Sequence, residues 1–262
     1  MPDADWVRYK QIRGKPLPEK VQLLGTAYAL QKTLKRDFYA ATGVYQRRAA
    51  APAAPEQVIL KVYHTGPLGF VRLRWLGRLL CRREVRYLQT LDAIPGIPRF
   101  LERYRSTGFV REYVPGCNLR EFATTALPDE RFFVRLREIL DAVHARGVAH
   151  NDLSKPENVL VRSDGSPVLI DFQIAVKIDW TDRPLIGRLG RRILGYLQSV
   201  DRYHLSKQHR RCRPWDFSAE EHQASRRKGV LLTVHGWLRR PYRAIRHFVL
   251  RKFLTTKSDE RR

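Results

Sequence analysis

Two short stretches decide how this sequence is expected to fold: HNDLSKPENVLV at residues 150–161 and VLIDFQ at residues 168–173. Each contains a short apolar run typical of a buried strand, and the turn-forming sequence SDGS lies between the two runs. The sequence therefore predicts a tight hairpin. Asn158 begins its first strand and Asp171 ends its second, so we expect these side chains to lie close together, with Asp152 in the preceding loop.

These polar residues match the requirements of phosphoryl transfer. In a chain with 50 Lys and Arg against 26 Asp and Glu, carboxylates are the scarce charge. Phosphoryl transfer depends on positioning and charge neutralisation, with a base near the acceptor hydroxyl and a cation on the phosphates. Mg²⁺ takes carboxylate and amide oxygens together with phosphate and water. Each residue also has a structural alternative: Asp152 could cap a turn, and Asp171 could simply end a strand.

The two stretches together resemble motifs of the protein-kinase-like superfamily. HNDLSKPENVLV resembles its catalytic loop, and IDFQ resembles its metal-binding motif. By that resemblance Asp152 is the catalytic base and Lys155 contacts the γ-phosphate. Asn158 and Asp171 are the Mg²⁺ ligands, and ATP and Mg²⁺ are the implied cofactors.

The resemblance extends upstream and implies a nucleotide site. VILKVYH resembles the strand whose lysine pairs with the phosphates, which gives that role to Lys61, and Glu84 is the best match to its glutamate partner. REYVPG resembles the linker that holds adenine, with Glu112 and Val114 at its hydrogen-bonding positions. The hairpin LKRDFYAATGVYQ takes the place of the glycine-rich phosphate loop, and Gly43 is its only glycine.

Several departures from the superfamily's usual pattern narrow the resemblance, which covers about residues 25–175. The catalytic loop is one residue longer than usual, Gln173 replaces a glycine, and Arg111 occupies a usually apolar position before the linker. No APE-like motif follows Asp171. These traits resemble small bacterial branches: lipopolysaccharide-core sugar kinases, RIO-type Ser/Thr kinases and aminoglycoside phosphotransferases.

The implied fold class is α+β, a two-lobed kinase-like fold with a β-rich N-lobe and a mainly helical C-lobe. We place the N-lobe at residues 1–111, the hinge at 112–117, and the C-lobe with a basic helical tail at 118–262. Helical spacing predicts one helix over residues 67–91 and another over residues 129–148. On the first, an arginine stripe is expected on a single face: Arg74, Arg78, Arg82 and Arg86.

Composition predicts an anionic partner and a reducing compartment. The formal charge is +24 over 262 residues, and residues 183–262 alone hold 21 basic against 6 acidic residues. Such a balance predicts attraction to nucleic acid, anionic lipid or acidic glycans. The three cysteines lie far apart without a CxxC pair, which argues against a disulfide framework or a zinc site. No run approaches the ~18 apolar residues that span a bilayer. We expect a cytoplasmic protein held peripherally at the inner face of the cytoplasmic membrane.

Three functions remain open from the sequence. The favoured one is phosphorylation of a lipopolysaccharide-core-type sugar on an acidic glycolipid, because the tail interleaves arginine with bulky apolar residues, as helices on anionic membranes do. The second is a RIO-like Ser/Thr kinase acting on a protein hydroxyl. Its RNA partner is less favoured, since no aromatic-rich RNA-binding motif is visible. The third is a non-catalytic scaffold, suggested by Gln173 and the thin phosphate loop but opposed by the intact Lys61, Asp152 and Asp171.

Overall fold

The computed structural model describes residues 16–36, 40–48, 53–63, 67–68, 71–72, 74–178 and 184–218. Within them, the predicted α+β architecture is confirmed, with a β-rich N-terminal lobe and a largely helical C-terminal one. The predictions for residues 219–262, more than half of the basic tail, lie outside the described residues.

The N-terminal lobe is built on an antiparallel sheet of six described strands, in the order β1-β2-β3-β4-β8-β7. These strands are β1 (Lys20–Leu23), β2 (Thr26–Arg36), β3 (Ala40–Arg47), β4 (Gln57–Tyr63), β7 (Phe100–Tyr104) and β8 (Gly108–Glu112). A separate antiparallel pair comprises β5 (Pro67–Leu68) and β6 (Val71–Arg72). Strands β3 and β4 pair with each other over nearly their whole length, from Ala40 opposite Tyr63 to Gln46 opposite Gln57.

Alternation along these strands divides their side chains between two faces. Ala41, Leu60 and Val110 pack in an outer cluster with residues of β1 and β2. Phe109 and Tyr63 instead join the larger core that continues into the helices. The second face therefore looks towards the cleft between the lobes.

Helix α1 (Arg74–Thr90) begins seven residues later than predicted. The short β5–β6 pair occupies the start of the predicted helix at residues 67–91, where proline and glycine in PLG disfavour helix. The arginine stripe lies on the solvent face where its side chains are described, because Arg78, Arg82 and Arg86 are exposed. Trp75 on the same helix is 60% exposed.

The C-terminal lobe follows from residue 117. Its helices are α2 (Leu119–Thr125), α3 (Glu130–Ala145) and α4 (Pro184–Cys212). Its strands are β9 (Cys117–Asn118), β10 (Val148–Ala149), β11 (Val159–Val161), β12 (Pro167–Leu169) and β13 (Val176–Lys177). The predicted hairpin is present as β11 and β12, with Gly165 at a φ of 77° in its turn. This conformation is the one that glycine adopts without steric cost.

Helix α3 follows its predicted pattern closely. Asp129 caps it by accepting a 2.7 Å hydrogen bond from the Phe132 backbone N–H, and Gly147 follows its end with a φ of 71°. Its buried residues recur every three or four positions and form the centre of the C-lobe core: Phe132, Phe133, Leu136, Ile139, Leu140 and Val143. This core is the platform on which the β11–β12 hairpin and the preceding loop rest.

All three cysteines are free thiols in the structure: Cys81 and Cys212 are buried and Cys117 is partly buried. Burial raises the pKa of Cys81 to about 11, so its thiol is protonated near neutral pH. Across the described parts of the chain, every helix is too short or too polar to cross a bilayer.

Candidate active site

Lys61 of β4 lies at the centre of a buried ion-pair network. Its Nζ is 2.9 Å and 2.8 Å from the two carboxylate oxygens of Glu84 on α1, and 2.9 Å from Asp171 Oδ1. Lys61 is 7% exposed and Glu84 is 3% exposed. Tyr63 donates its hydroxyl to Glu84 Oε2. The structure therefore brings Lys61, Glu84 and Asp171 together from three separate elements.

The charges in this network stabilise each other. Burial alone would lower the pKa of Lys61, but Asp171 and Glu84 together raise it above its ordinary value. Burial alone would raise the pKa of Asp171, but the neighbouring Lys61 ammonium holds it well below its usual range. Lys61 and Asp171 are therefore both ionised at neutral pH.

The catalytic loop forms a second cluster. Asp152 is 8% exposed, and its Oδ2 accepts hydrogen bonds from Lys155 Nζ at 2.6 Å and from Asn158 Nδ2 at 3.1 Å. The loop ends in a single 3₁₀ turn, Pro156–Asn158, in which the Asn158 N–H donates to the Lys155 carbonyl. The longer loop still brings Lys155 into direct contact with Asp152.

His150 and the β11–β12 hairpin connect the two clusters. His150 Nε2 lies 3.0 Å from the Ile170 carbonyl, while its Nδ1 accepts from the Asp152 backbone N–H at 3.3 Å. Because a carbonyl can only accept, Nε2 is the donor of the first bond, while Nδ1 is the acceptor of the second. Ile170 N also donates to the Asn158 carbonyl at 2.9 Å, which ties Asp171 to the end of the catalytic loop.

Asp201 of α4 is a site-supporting residue that the sequence did not suggest. It is fully buried, and its carboxylate accepts backbone hydrogen bonds from His150 at 2.7 Å and from Asn151 at 2.8 Å. His144 Nε2 lies 3.2 Å from the same carboxylate. Asn151 has a φ of 61°, a left-handed conformation that asparagine tolerates and these bonds maintain. The available sequence signal was that Asp201 is the single acidic residue of α4.

Helix α1 is also joined to the segment after Asp171. Arg83 Nη2 donates to the Ala175 carbonyl at 2.6 Å, and the Lys177 backbone N–H donates to the Tyr87 hydroxyl at 3.2 Å. Because Glu84 is adjacent to Arg83 on α1, these contacts hold the Glu84 carboxylate against Lys61.

The predicted hinge begins at Glu112, the last residue of β8. Glu112 Oε2 accepts from the Arg99 backbone N–H at 3.1 Å, and Val114 is 5% exposed. Arg111 Nη1 lies 3.3 Å from the Glu112 carbonyl oxygen. The residue before the hinge therefore directs a guanidinium towards the hinge backbone.

Gly43, expected in the phosphate loop, does not lie with the other predicted residues. It sits inside β3, opposite Leu60 of the outer cluster. Its neighbour Thr42 is the residue opposite Lys61, so Gly43 and Lys61 lie on different faces of the sheet. A Cβ at Gly43 would come within 2.7 Å of Leu17 Cδ1. Its position therefore gives Gly43 a packing role on the face of the sheet turned away from Lys61.

Lys35 of β2 is a second residue that the sequence did not suggest. It is opposite Thr42 of β3, which is in turn opposite Lys61 of β4, so the three residues form one row across the sheet. After Lys61, Lys35 is a further cation that lowers the pKa of Asp171. The hairpin therefore brings a lysine, rather than a run of glycines, to the cleft.

Asn158 and Asp171 together suit a magnesium ion better than a transition metal. Asn158 donates its amide nitrogen to Asp152, which directs its amide oxygen to the other side of the carboxamide, and Asp171 is an ionised carboxylate. Mg²⁺ commonly uses one or two carboxylates and completes its shell with phosphate and water. In the described ranges no three His, Cys, Asp or Glu residues form a metal cluster.

The chain is similar to parts of several Ser/Thr protein kinases, although no family model matches it. It is 32% identical over 169 residues to serine/threonine-protein kinase C of Synechocystis sp., a match covering 59% of this chain and 30% of the relative. It is 36% identical over 115 residues to protein kinase PINOID 2 of Oryza sativa subsp. japonica, a match covering 40% of this chain and 22% of the relative. It is also 32% identical over 107 residues to serine/threonine-protein kinase KIC1 of Saccharomyces cerevisiae. That match covers 38% of this chain and 10% of the relative.

The chain thus spans less than a third of the length of these curated relatives. Its α+β architecture is the one predicted for a kinase-like chain, and the named similarities are all to protein kinases. The fold and the partial similarities both resemble those of protein kinases.

Proposed function

We propose that the chain is an ATP- and Mg²⁺-dependent phosphotransferase that moves the γ-phosphate to a Ser or Thr hydroxyl of a protein. The observation that carries this proposal is the contact of ionised Lys61 and Asp171, linked through His150 and Ile170 to the Asp152 cluster. It combines a phosphate-binding cation, a metal-binding carboxylate and a candidate base in one cleft. Phosphoryl transfer needs these three groups and little further covalent chemistry.

Each side chain has a role that follows from its contacts. Lys61, oriented by Glu84, binds the nucleotide phosphates. Asp152 accepts the proton of the attacking hydroxyl, and Lys155, 2.6 Å from that carboxylate, places a positive charge where the transferred phosphoryl group carries negative charge. Mg²⁺ held by Asn158 and Asp171 would supply further neutralisation of the phosphate charge.

The acceptor proposed here differs from the one that the sequence favoured. The curated relatives carry names of Ser/Thr or protein kinases, which supports a protein hydroxyl over a lipopolysaccharide-core sugar. A RIO-like subtype remains one form of this proposal, and RNA remains its less favoured partner.

A glycolipid acceptor at an anionic membrane is the second candidate, and one surface favours it. The first half of α4 exposes Leu189 by 58% and Ile193 by 41%, beside the exposed Arg188, Arg191 and Arg192. Such a mixture of cations and aliphatic side chains suits an anionic lipid surface. This candidate includes the expected location at the inner face of the cytoplasmic membrane.

A labelling assay separates the proposals. The purified full chain is incubated with Mg²⁺ and γ-labelled ATP in the presence of a soluble protein fraction or purified lipopolysaccharide core. We expect label on Ser or Thr of proteins and none with Asp152→Asn. Label on the glycolipid alone would establish the second candidate. Mg²⁺-dependent ATP binding without transfer to any acceptor, including the chain itself, would favour a non-catalytic scaffold.

A further inference from the structure

Arg111 presents its side chain to the nucleotide cleft. In the register of β4 with β8, Arg111 lies opposite Ile59, two residues along from the Lys61–Phe109 pair. A spacing of two residues on both strands puts Arg111 on the same face as Lys61. Burial lowers the pKa of Arg111, and the opposing effects of Glu84 and Asp171 agree with this placement because they show that both carboxylates lie near the guanidinium.

The guanidinium of Arg111 has hydrogen-bonding capacity to spare. It carries five N–H donors, and within the described residues one hydrogen bond engages it, the 3.3 Å contact of Nη1 with the Glu112 carbonyl. No ion pair with a described carboxylate involves it. A half-buried guanidinium in this state favours a ligand that offers oxygen or nitrogen acceptors.

The two common purine bases differ in what they offer at this point. Adenine presents an N6 amino donor beside its N7 acceptor, whereas guanine presents the O6 and N7 acceptors. An adenine amino group would donate to the same Glu112 carbonyl oxygen, which has two lone pairs, as Arg111 does, and would gain no bond from the guanidinium itself. Guanine O6 would instead accept from Arg111, and arginine is the side chain that most often recognises the O6 and N7 edge.

From these contacts we propose that Arg111 enables the cleft to bind a guanine nucleotide as well as ATP, so that GTP also serves as phosphoryl donor. This inference rests on the proposed function, because the hinge must be the site of the nucleotide base. It adds a specificity role for a residue that neither binds phosphate nor touches the acceptor.

Binding measurements with the full chain test the proposal. We titrate the β,γ-imido analogues of ATP and GTP calorimetrically in Mg²⁺, with wild type, Arg111→Met and the control Arg103→Met, an exposed arginine on the neighbouring β7. Wild type should bind both analogues within about tenfold of each other. Arg111→Met should weaken the GTP analogue about tenfold, the loss of roughly one hydrogen bond to a charged donor, while ATP-analogue binding stays within twofold and Arg103→Met changes neither.

A measurement on the wild type alone guards against a variant that misfolds. Inosine triphosphate keeps O6 but lacks the guanine amino group, so it should bind as GTP does if Arg111 recognises O6. Undetectable binding of GTP and inosine triphosphate would overturn this inference, and so would an equal effect of Arg111→Met on the ATP and GTP analogues. If ATP still binds in these cases, the proposed function stands. Absence of Mg²⁺-dependent binding of every nucleotide would instead overturn the proposed function itself.

Discussion

The catalytic loop and the β2–β3 hairpin face the same cleft, but they hold their polar groups in different ways. The loop is fixed by side-chain hydrogen bonds, above all those from the backbone of His150 and Asn151 to the buried carboxylate of Asp201. The hairpin places Lys35 by strand register, opposite Thr42 and on an exposed stretch of β2. The loop geometry depends on a few buried contacts, so a single substitution can disrupt it. Lys35 is one of several positive charges near the cleft, so its loss removes only part of the electrostatic attraction. Substitutions in the loop should therefore have larger effects than those in the hairpin.

The largest effect should come from the loop's own reacting group. Asp152→Asn keeps the shape of the side chain but removes its capacity to accept a proton. We expect kcat for the true acceptor to fall by ~10²–10⁴-fold, the usual contribution of a positioned base. Nucleotide affinity, measured by calorimetry, should change less than threefold, because Asp152 faces the acceptor. Near wild-type turnover in the variant would assign the base to another residue.

Asp171 joins the two regions, and its loss should have the next largest effect. Asp171→Asn removes the negative charge that pairs with Lys61 and the proposed metal-binding oxygen. Affinity for Mg²⁺-ATP should fall by ~10–100-fold, the cost of losing one or two charge-assisted interactions. Affinity for ATP in excess chelator should change little. Equal losses with and without Mg²⁺ would exclude a metal role and leave Asp171 as the partner of Lys61 alone.

Asp201 tests whether support at a distance matters as much as the contacts indicate. In Asp201→Asn an amide group would face two backbone N–H donors where a carboxylate accepted both. We expect the free energy of unfolding to fall by ~1.5–3 kcal/mol, the range for a buried hydrogen bond to a charged group. We also expect kcat to fall about tenfold while the KM for ATP is unchanged, because the displaced backbone carries Asp152 and not Lys61.

Asp141→Asn is the matched control for Asp201. Its carboxylate is half exposed and pairs with Arg202 of the same helix that carries Asp201. Loss of an exposed ion pair should lower the free energy of unfolding, measured with a chemical denaturant, by less than ~1 kcal/mol and leave kcat unchanged. Similar losses in the two variants would mean that burial of Asp201 has no particular importance for the loop.

The parts of the molecule that the sequence predicted are those governed by local rules. The β11–β12 hairpin follows from apolar runs and SDGS, and α3 follows from periodicity, the Asp129 cap and Gly147. The pairing of Lys61 with Glu84 was expected by resemblance, and an ion pair is present there.

The features that the sequence did not predict depend on contacts between residues far apart in the chain or on the register of the strands. Asp201 reaches backbone fifty residues away, so no pattern near it reveals the contact. Gly43 was assigned to the phosphates by its place in a hairpin, but the two-residue period of β3 turns it to the other face. Helix α1 was extended too far because its apolar periodicity continues into residues that instead pair as β5 and β6.

Lys35 should show the smallest effect and completes the comparison. It stands in one cross-strand row with Thr42 and Lys61 and acts on Asp171 electrostatically, so Lys35→Met should raise the KM for Mg²⁺-ATP. The expected rise is about two- to fivefold, because an exposed charge interaction contributes ~0.2–1 kcal/mol. The rise should shrink in high salt, since added salt shortens the distance over which exposed charges interact to below the ~10 Å found at about 0.1 M ionic strength. Lys20→Met, on the edge strand β1, removes an exposed lysine outside this row and should leave KM unchanged. An equal effect of the two substitutions would mean that overall positive charge attracts the nucleotide, and that the hairpin contributes no positioned cation.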